Sequence, residues 1–171
     1  MSTETVEQVT RFKKLVFPED PPAPAPVAKR PAELVLHYHA VPARVFDNLC
    51  YSPTYTHDAH QLMHQTRYPS MTITHHYWVP LMLLGWGADP LNSMITGWRS
   101  WDTWVTVNYP KIVITIMADL PNMNLKPLQG PSTHLGVPDG WAMDTFTRLK
   151  RFYGAAAHRG DGVVIIAELR E

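Results

Sequence analysis

Histidine is the residue type whose spacing in this chain most suggests chemistry. Seven of the nine histidines lie in the first half of the sequence. In the stretch THDAHQLMH, the residues His57, His60 and His64 are three and then four positions apart, so on a helix they would share one stripe. In the stretch HYH, the side chains of His37 and His39 would point to the same face of a strand, because strand side chains alternate.

A strand pair of histidines facing such a helical stripe can place three or four ring nitrogens around zinc, iron or copper. Asp58 could add an oxygen ligand or accept a hydrogen bond from a ligating ring. If three nitrogens held the metal and one position stayed open, hydrolytic or redox chemistry would follow. The sequence therefore supplies one metal-site hypothesis, in which zinc or iron is bound within a set of five histidines, His37, His39, His57, His60 and His64.

The same histidines also have an interpretation without a metal. The chain contains no HExxH, CxxC or CxxCH motif, and these are the patterns that identify many metal or haem sites. Imidazole also packs as an amphipathic side chain that buries its ring and keeps its polar tip in water. On this interpretation the histidines are structural or contact another protein, and the chain binds no cofactor.

Motifs of known catalytic machinery are missing from the sequence. There is no GxSxG nucleophile elbow, and the stretch GWGADP lacks the GK[ST] of a phosphate-binding loop. The one cysteine, Cys50, lies outside any familiar cysteine-protease pattern. Trp98, Trp101 and Trp104 repeat every three residues, which indicates either an aromatic core or an aromatic patch that contacts a partner. We therefore expect a non-catalytic protein rather than an enzyme.

Composition narrows the class of partner and compartment. The chain has 15 Lys plus Arg and 15 Asp plus Glu, whereas a nucleic-acid-binding protein normally carries a basic excess on one face. We therefore expect no nucleic acid partner. A single cysteine excludes a disulfide within the chain and fits a reducing, intracellular compartment. The apolar stretch from Tyr77 to Trp98 is interrupted by prolines and is too short to span a membrane. It indicates a buried core segment, with peripheral membrane contact as the alternative.

The first 32 residues differ in character from the rest of the chain. Residues 3–16 place apolar side chains at helical spacing, with acids in the first turn and lysines in the last, as is typical of an amphipathic helix. Residues 17–32 contain six prolines, which exclude a helix and favour an extended arm. Neither segment can bury its own apolar groups, so another polypeptide must support them. We expect residues 1–32 to form an anchoring arm and residues 33–171 to form one domain.

The periodicity of apolar residues outlines the elements of that domain. Strands are predicted over residues 33–40, 70–79, 103–109, 111–120 and 162–169. The third and fourth of these would form a hairpin around Pro110. Helices are predicted over residues 42–50, from residue 56 to the residue before Tyr68, and from an Asp139 cap through His158. Because strands and helices do not alternate regularly, we expect an α+β fold with a small, mostly antiparallel sheet and two or three helices.

These features together predict a non-catalytic accessory or structural subunit of a large multiprotein assembly. Met, Trp and Tyr are favoured at protein contacts, and an extended arm adds contact area without a core of its own. Accessory subunits of this kind are common in mitochondrial membrane complexes. We therefore expect a peripheral subunit of a respiratory or ATP synthase complex, with other protein subunits as its partners. The alternative hypothesis is a small histidine-ligated metal-binding domain or metalloenzyme.

Overall fold

The structure is a computed structural model of the whole chain. The residues that it describes are 33–74, 90–100, 104–123 and 140–170. By its internal contacts the chain divides into two units, Met1–Pro31 and Ala32–Glu171, and every described residue belongs to the second. The predicted N-terminal helix and proline-rich arm therefore lie outside the described residues, as does most of the predicted loop before Asp139.

The described part of the chain contains five strands and five α-helices. In chain order these are β1 (Glu33–Val41), α1 (Ala43–Tyr51), α2 (Tyr55–Gln61), β2 (Ser70–Thr74), α3 (Leu91–Thr96), β3 (Arg99–Ser100), β4 (Val105–Asn108), α4 (Pro110–Asp119), α5 (Trp141–Arg159) and β5 (Gly162–Arg170). Short 3-10 turns at Leu62–His64 and Leu120–Asn122 follow α2 and α4. Within these ranges no helix combines the length and the apolarity that crossing a membrane would need.

The five strands form one sheet in the order β2-β1-β5-β4-β3. All four neighbouring pairs are antiparallel, which confirms the predicted α+β class with a mostly antiparallel sheet. The central pair, β1 and β5, is in register from Glu33 opposite Arg170 to Val41 opposite Gly162. The five helices exceed the two or three that were expected, because α3 and α4 were not predicted.

Helices cover both faces of this sheet. On one face, which we call the front, strand residues such as Val107 and Val164 pack with Phe46 and Leu49 of α1 and with Ala59 of α2. On the other face, which we call the back, the ring of Tyr38 contacts Phe152 of α5 edge to face at 6.3 Å. The helix α4 lies against α5 and β5. The apolar core therefore occupies two layers, one on each side of the sheet.

The prediction of a strand over residues 111–120 was wrong, and so was the hairpin around Pro110. This segment is the helix α4, and β4 pairs instead with β3 and β5. Pro110 occupies the first helical turn, where its missing N–H costs nothing. Val113, Ile116 and Leu120 are buried at a spacing of three and four residues, which is one face of a helix. Packing of that face outweighs the local strand preference of β-branched residues.

The other predicted elements are confirmed, with small changes at their ends. The strands expected at 33–40, 103–109 and 162–169 are β1, β4 and β5, and the one expected at 70–79 is β2 as far as it is described. The two early helices are α1 and α2. The long helix is α5. It begins after Gly140, whose backbone has the left-handed conformation with φ 80°. The predicted cap, Asp139, lies outside the described residues.

Candidate binding cleft and the predicted histidines

The two strand histidines, His37 and His39, lie on the front face of β1. The His37 ring Nε2 lies 2.9 Å from the Glu168 carboxylate of β5, which also accepts a hydrogen bond from Arg170 at 3.0 Å. The hydrogen bond from His37 is the largest cause of the lowered pKa of Glu168. In the structure, His37 of β1 thus contacts a carboxylate on the neighbouring strand β5.

His39 is 4% exposed, and among the described residues neither of its ring nitrogens has a hydrogen-bond partner. Burial lowers its pKa from 6.5 to about 4, and the neighbouring His37 adds to this shift. The ring is therefore neutral at pH 7. An unpaired buried polar group costs about 1–3 kcal/mol, so this residue lowers the stability of the front layer.

Two of the three histidines predicted on the helix are exposed. The side chains of α2 and the following turn that pack into the front core are Ala59 and Leu62. His57 and His64 are exposed, and the His57 ring accepts a long hydrogen bond from Gln61 at 3.4 Å. The stripe that was predicted to face the strand pair is thus not the side of the helix that packs on the front core, because Ala59 and Leu62 occupy that side.

Asp58 lies in the first turn of α2. Its carboxylate accepts hydrogen bonds from the hydroxyl groups of Ser52 and Thr54, and these two bonds are the main causes of its lowered pKa. Within the described ranges no group of three or more His, Cys, Asp or Glu side chains lies close enough to hold a metal ion. The structure therefore does not bring the five predicted ligands, which include the half-buried His60, together at one point.

A different set of side chains does converge, at the edge of the sheet beside β3. A cleft of about 210 Å³ is lined by Cys50, Tyr55, Arg99, Ser100 and Tyr109. These residues come from the end of α1, the start of α2, the edge strand β3 and the link between β4 and α4. A more open groove, of about 380 Å³, is lined by the consecutive residues 64–67. The groove gathers no side chain from a second element, so we take the cleft as the candidate site.

A buried asparagine fixes the backbone that leads into β3. Asn108 is 0% exposed, and its Oδ1 accepts a hydrogen bond of 2.8 Å from the backbone N–H of Trp98. Its Nδ2 donates to the Ser93 carbonyl and to the Tyr153 hydroxyl, both at 2.8 Å. One side chain thus joins α3, α5 and the start of β3. Gly97, with φ 81°, makes the turn between α3 and Trp98.

Within the cleft, a guanidinium and a phenol are directly bonded. Arg99 Nη1 donates to the Tyr109 hydroxyl at 3.2 Å. Burial raises the pKa of the Cys50 thiol, and the carboxylate of Asp47 raises it further, although the Tyr109 hydroxyl and Arg99 act in the opposite direction. The thiol is therefore protonated at neutral pH. Arg99 is then the charged group among the five lining residues.

Two exposed aromatic residues are sequence neighbours of residues that line this cleft, and the ring of one, Trp98, contacts Tyr109. Tyr51, which follows Cys50, is 87% exposed, and Trp98, which precedes Arg99, is 57% exposed. Trp, Tyr and Arg are the residue types most enriched among the side chains that dominate binding energy at protein interfaces. Of the three tryptophans singled out from sequence, Trp98 is the one that the structure describes as exposed. Trp104 is half-buried, and Trp101 lies outside the described residues.

Comparison with known proteins gives a likeness in fold. No family model matches the sequence, and no curated protein matches it. Among solved structures the chain is similar to YfbM, a protein of unknown function from Escherichia coli, with a TM-score of 0.56. The match covers 78% of this chain and 99% of that chain at 13% sequence identity. At this identity the likeness shows the architecture alone.

Proposed function

We propose that the chain is a non-catalytic, protein-binding subunit of a larger assembly, and that a partner subunit docks on Trp98 and the cleft beside it. The observation that carries this proposal is that Trp98 is 57% exposed and yet firmly held. Its backbone N–H is shared between the Val107 carbonyl and Asn108, and its ring packs edge to face on Tyr109. A large aromatic side chain that is already ordered loses little entropy when a partner covers it.

The N-terminal arm is the second contact in this proposal. The support for it comes from the sequence, because residues 1–32 cannot bury their own apolar groups. The described sheet begins at Glu33. The assignment to a mitochondrial membrane complex stays a prediction from the sequence.

The proposal is tested by quantitative co-purification from the cells in which the protein occurs. Tagged wild-type chain and its Trp98→Ala variant are isolated in parallel, and the proteins recovered with each are quantified by mass spectrometry. Ile114→Ala is the matched control, because Ile114 is also an exposed apolar residue, 52% exposed, but lies on α4. We expect Trp98→Ala to lose the partner subunits that wild type and Ile114→Ala retain. Equal recovery with all three chains would contradict the proposal.

The metal-binding hypothesis stays a prediction from the sequence alone. Its test is elemental analysis of the purified chain beside a His60→Ala, His64→Ala double variant. Stoichiometric zinc or iron that is lost in the double variant would favour that hypothesis over the one proposed here. The same amount of metal in both chains would remove these two histidines from the ligand set.

A further inference from the structure

We infer that the cleft lined by Cys50, Tyr55, Arg99, Ser100 and Tyr109 binds a carboxylate of the partner protein. This inference rests on the proposed function and names the chemical group that the partner presents. It is carried by the position of one guanidinium, bonded to the Tyr109 hydroxyl, in a concave site beside the exposed ring of Trp98.

The hydrogen-bonding groups of the cleft suit a planar anion. A guanidinium carries five N–H donors in a fixed fork that matches a carboxylate, and the bond to the Tyr109 hydroxyl uses one of them. That bond also holds the guanidinium in a defined orientation at the edge of the sheet. Tyr55 and Ser100 also line the cleft. The volume of about 210 Å³ is enough for an acidic side chain but small for a cofactor.

The charge of the cleft matches a single negative charge. The five lining residues bring one positive group, Arg99, and no carboxylate. Asp47 lies one turn before Cys50 on α1 and acts on that thiol, so it offsets part of the positive potential without lining the cleft. Phosphoryl groups carry more charge and are usually held by several cations or by clustered backbone N–H groups. One guanidinium therefore favours a carboxylate over a phosphate.

The surroundings favour a carboxylate that belongs to a protein chain. The exposed Trp98 ring packs on Tyr109, which lines the cleft, so it offers apolar contact to a residue next to an acidic one. The ordered Trp98 ring and the bonded Arg99 lie next to each other on the sheet edge. This combination of an aromatic anchor and a paired charge is common at the centre of protein interfaces.

The experiment is an NMR titration of the full-length, ¹⁵N-labelled chain with glutarate, and with glutaramide as the neutral probe of the same length. We expect saturable shifts with glutarate at residues 50, 55, 98–100 and 109, and none with glutaramide. Arg99→Gln should weaken glutarate binding by about tenfold or more, since it removes the positive group that lines the cleft. Arg151→Gln, at an exposed arginine of α5, should leave it unchanged.

Three outcomes would overturn the inference. These are equal shifts with both probes, shifts that do not saturate, and tighter binding of inorganic phosphate than of glutarate. The comparison of probes on the wild-type chain decides the matter even if Arg99→Gln fails to fold. Glutarate binding with normal assembly of Trp98→Ala would instead contradict the proposed function and leave the carboxylate site standing. If Trp98→Ala fails to assemble and the wild-type chain does not bind glutarate, the carboxylate site is contradicted and the proposed function stands.

Discussion

The rings of Trp98 and Tyr109 meet edge to face, with centroids 6.1 Å apart. Tyr109 makes the same kind of contact with Phe46, at 5.4 Å, and Phe46 is fully buried in the front core. Three aromatic rings thus form a continuous path from the exposed surface to the interior. Because this path fixes the exposed ring to the core, the surface around Trp98 is ordered before any partner arrives.

The Asn108 side chain should be the polar group on which the sheet edge most depends. Replacing it by Ala leaves the Trp98 N–H, the Ser93 carbonyl and the Tyr153 hydroxyl without this partner in a buried site. We expect the free energy of unfolding in urea to fall by about 3 kcal/mol. Asn122→Ala, at an exposed position, is the control and should change it little. If Asn108→Ala lowers the free energy of unfolding no more than Asn122→Ala does, the hydrogen-bond network of Asn108 is not needed for stability.

Gly97 should resist substitution more strongly than Gly140, although both have a positive φ. A Cβ at Gly97 would lie 2.6 Å from the Thr106 hydroxyl oxygen, whereas a Cβ at Gly140 would meet no atom within 4 Å. Their φ angles are 81° and 80°, but ψ is 152° at Gly97 and −15° at Gly140. Gly97 therefore lies in a backbone region that is essentially restricted to glycine, whereas Gly140 lies in the left-handed region, which other residues reach at a cost of about 1–2 kcal/mol. We expect Gly97→Ala to lower the melting temperature well beyond Gly140→Ala. Equal shifts would contradict this prediction.

The stability of the fold should decline as the pH falls below 6.5, because of His39. Its folded-state pKa is about 4, below the ordinary 6.5, so between these values the unfolded chain binds a proton that the folded chain does not. The unfolding free energy therefore falls with decreasing pH across that window, by on the order of 3 kcal/mol when it is complete. Urea denaturation at pH 7 and pH 5 measures most of this change.

His39→Leu should remove the pH dependence and raise stability at pH 5, since it also removes two ring nitrogens that have no hydrogen-bond partner among the described residues. His57→Leu, at an exposed histidine, is the control and should keep the wild-type profile. Glu168 also titrates, but its pKa is lowered from 4.5, so the stability that it contributes is lost only below the pH range used here. A His39→Leu profile parallel to that of wild type would contradict the assignment.

Deletion of residues 1–32 should leave the domain folded and stop its assembly. The described sheet and its two helix layers begin at Glu33, so we expect a melting temperature close to that of the full chain. The truncated chain should no longer be incorporated into the native assembly. Size fractionation of cell extract measures this incorporation. A truncated chain that assembles normally would show that the arm is not an anchor, while the Trp98 surface would remain to be judged separately.

The strands of the central pair were predictable because their signals are local. β1 alternates and ends before Pro42, and β5 is a continuous apolar run after a glycine, so each needs no knowledge of its neighbours. The segment after Pro110 was assigned wrongly because its β-branched residues fit either a strand or a helix. Burial of Val113 and Ile116 against the sheet decides between the two, and that contact is not visible in a single sequence.

The candidate site was largely beyond sequence reasoning. Its lining residues lie on four separate elements between Cys50 and Tyr109, and no spacing rule connects them. The tryptophan repeat indicated either a core or a surface patch, and the exposure of Trp98 selects the second for that residue. The spacing of the histidine stripe was interpreted as facing the sheet, whereas Ala59 and Leu62 occupy that side; the metal-binding hypothesis itself stays a prediction.

Hydroxyl-radical footprinting of the isolated chain and of the native assembly tests the central claim most directly. The oxidation rates of Trp98 and Tyr51 are compared between the two states, with the exposed Ile114 as an internal reference. Docking of a partner on this surface predicts that Trp98 and Tyr51 become several-fold less reactive in the assembly while Ile114 changes little. Unchanged reactivity of Trp98 in an assembly that contains the chain would contradict the account.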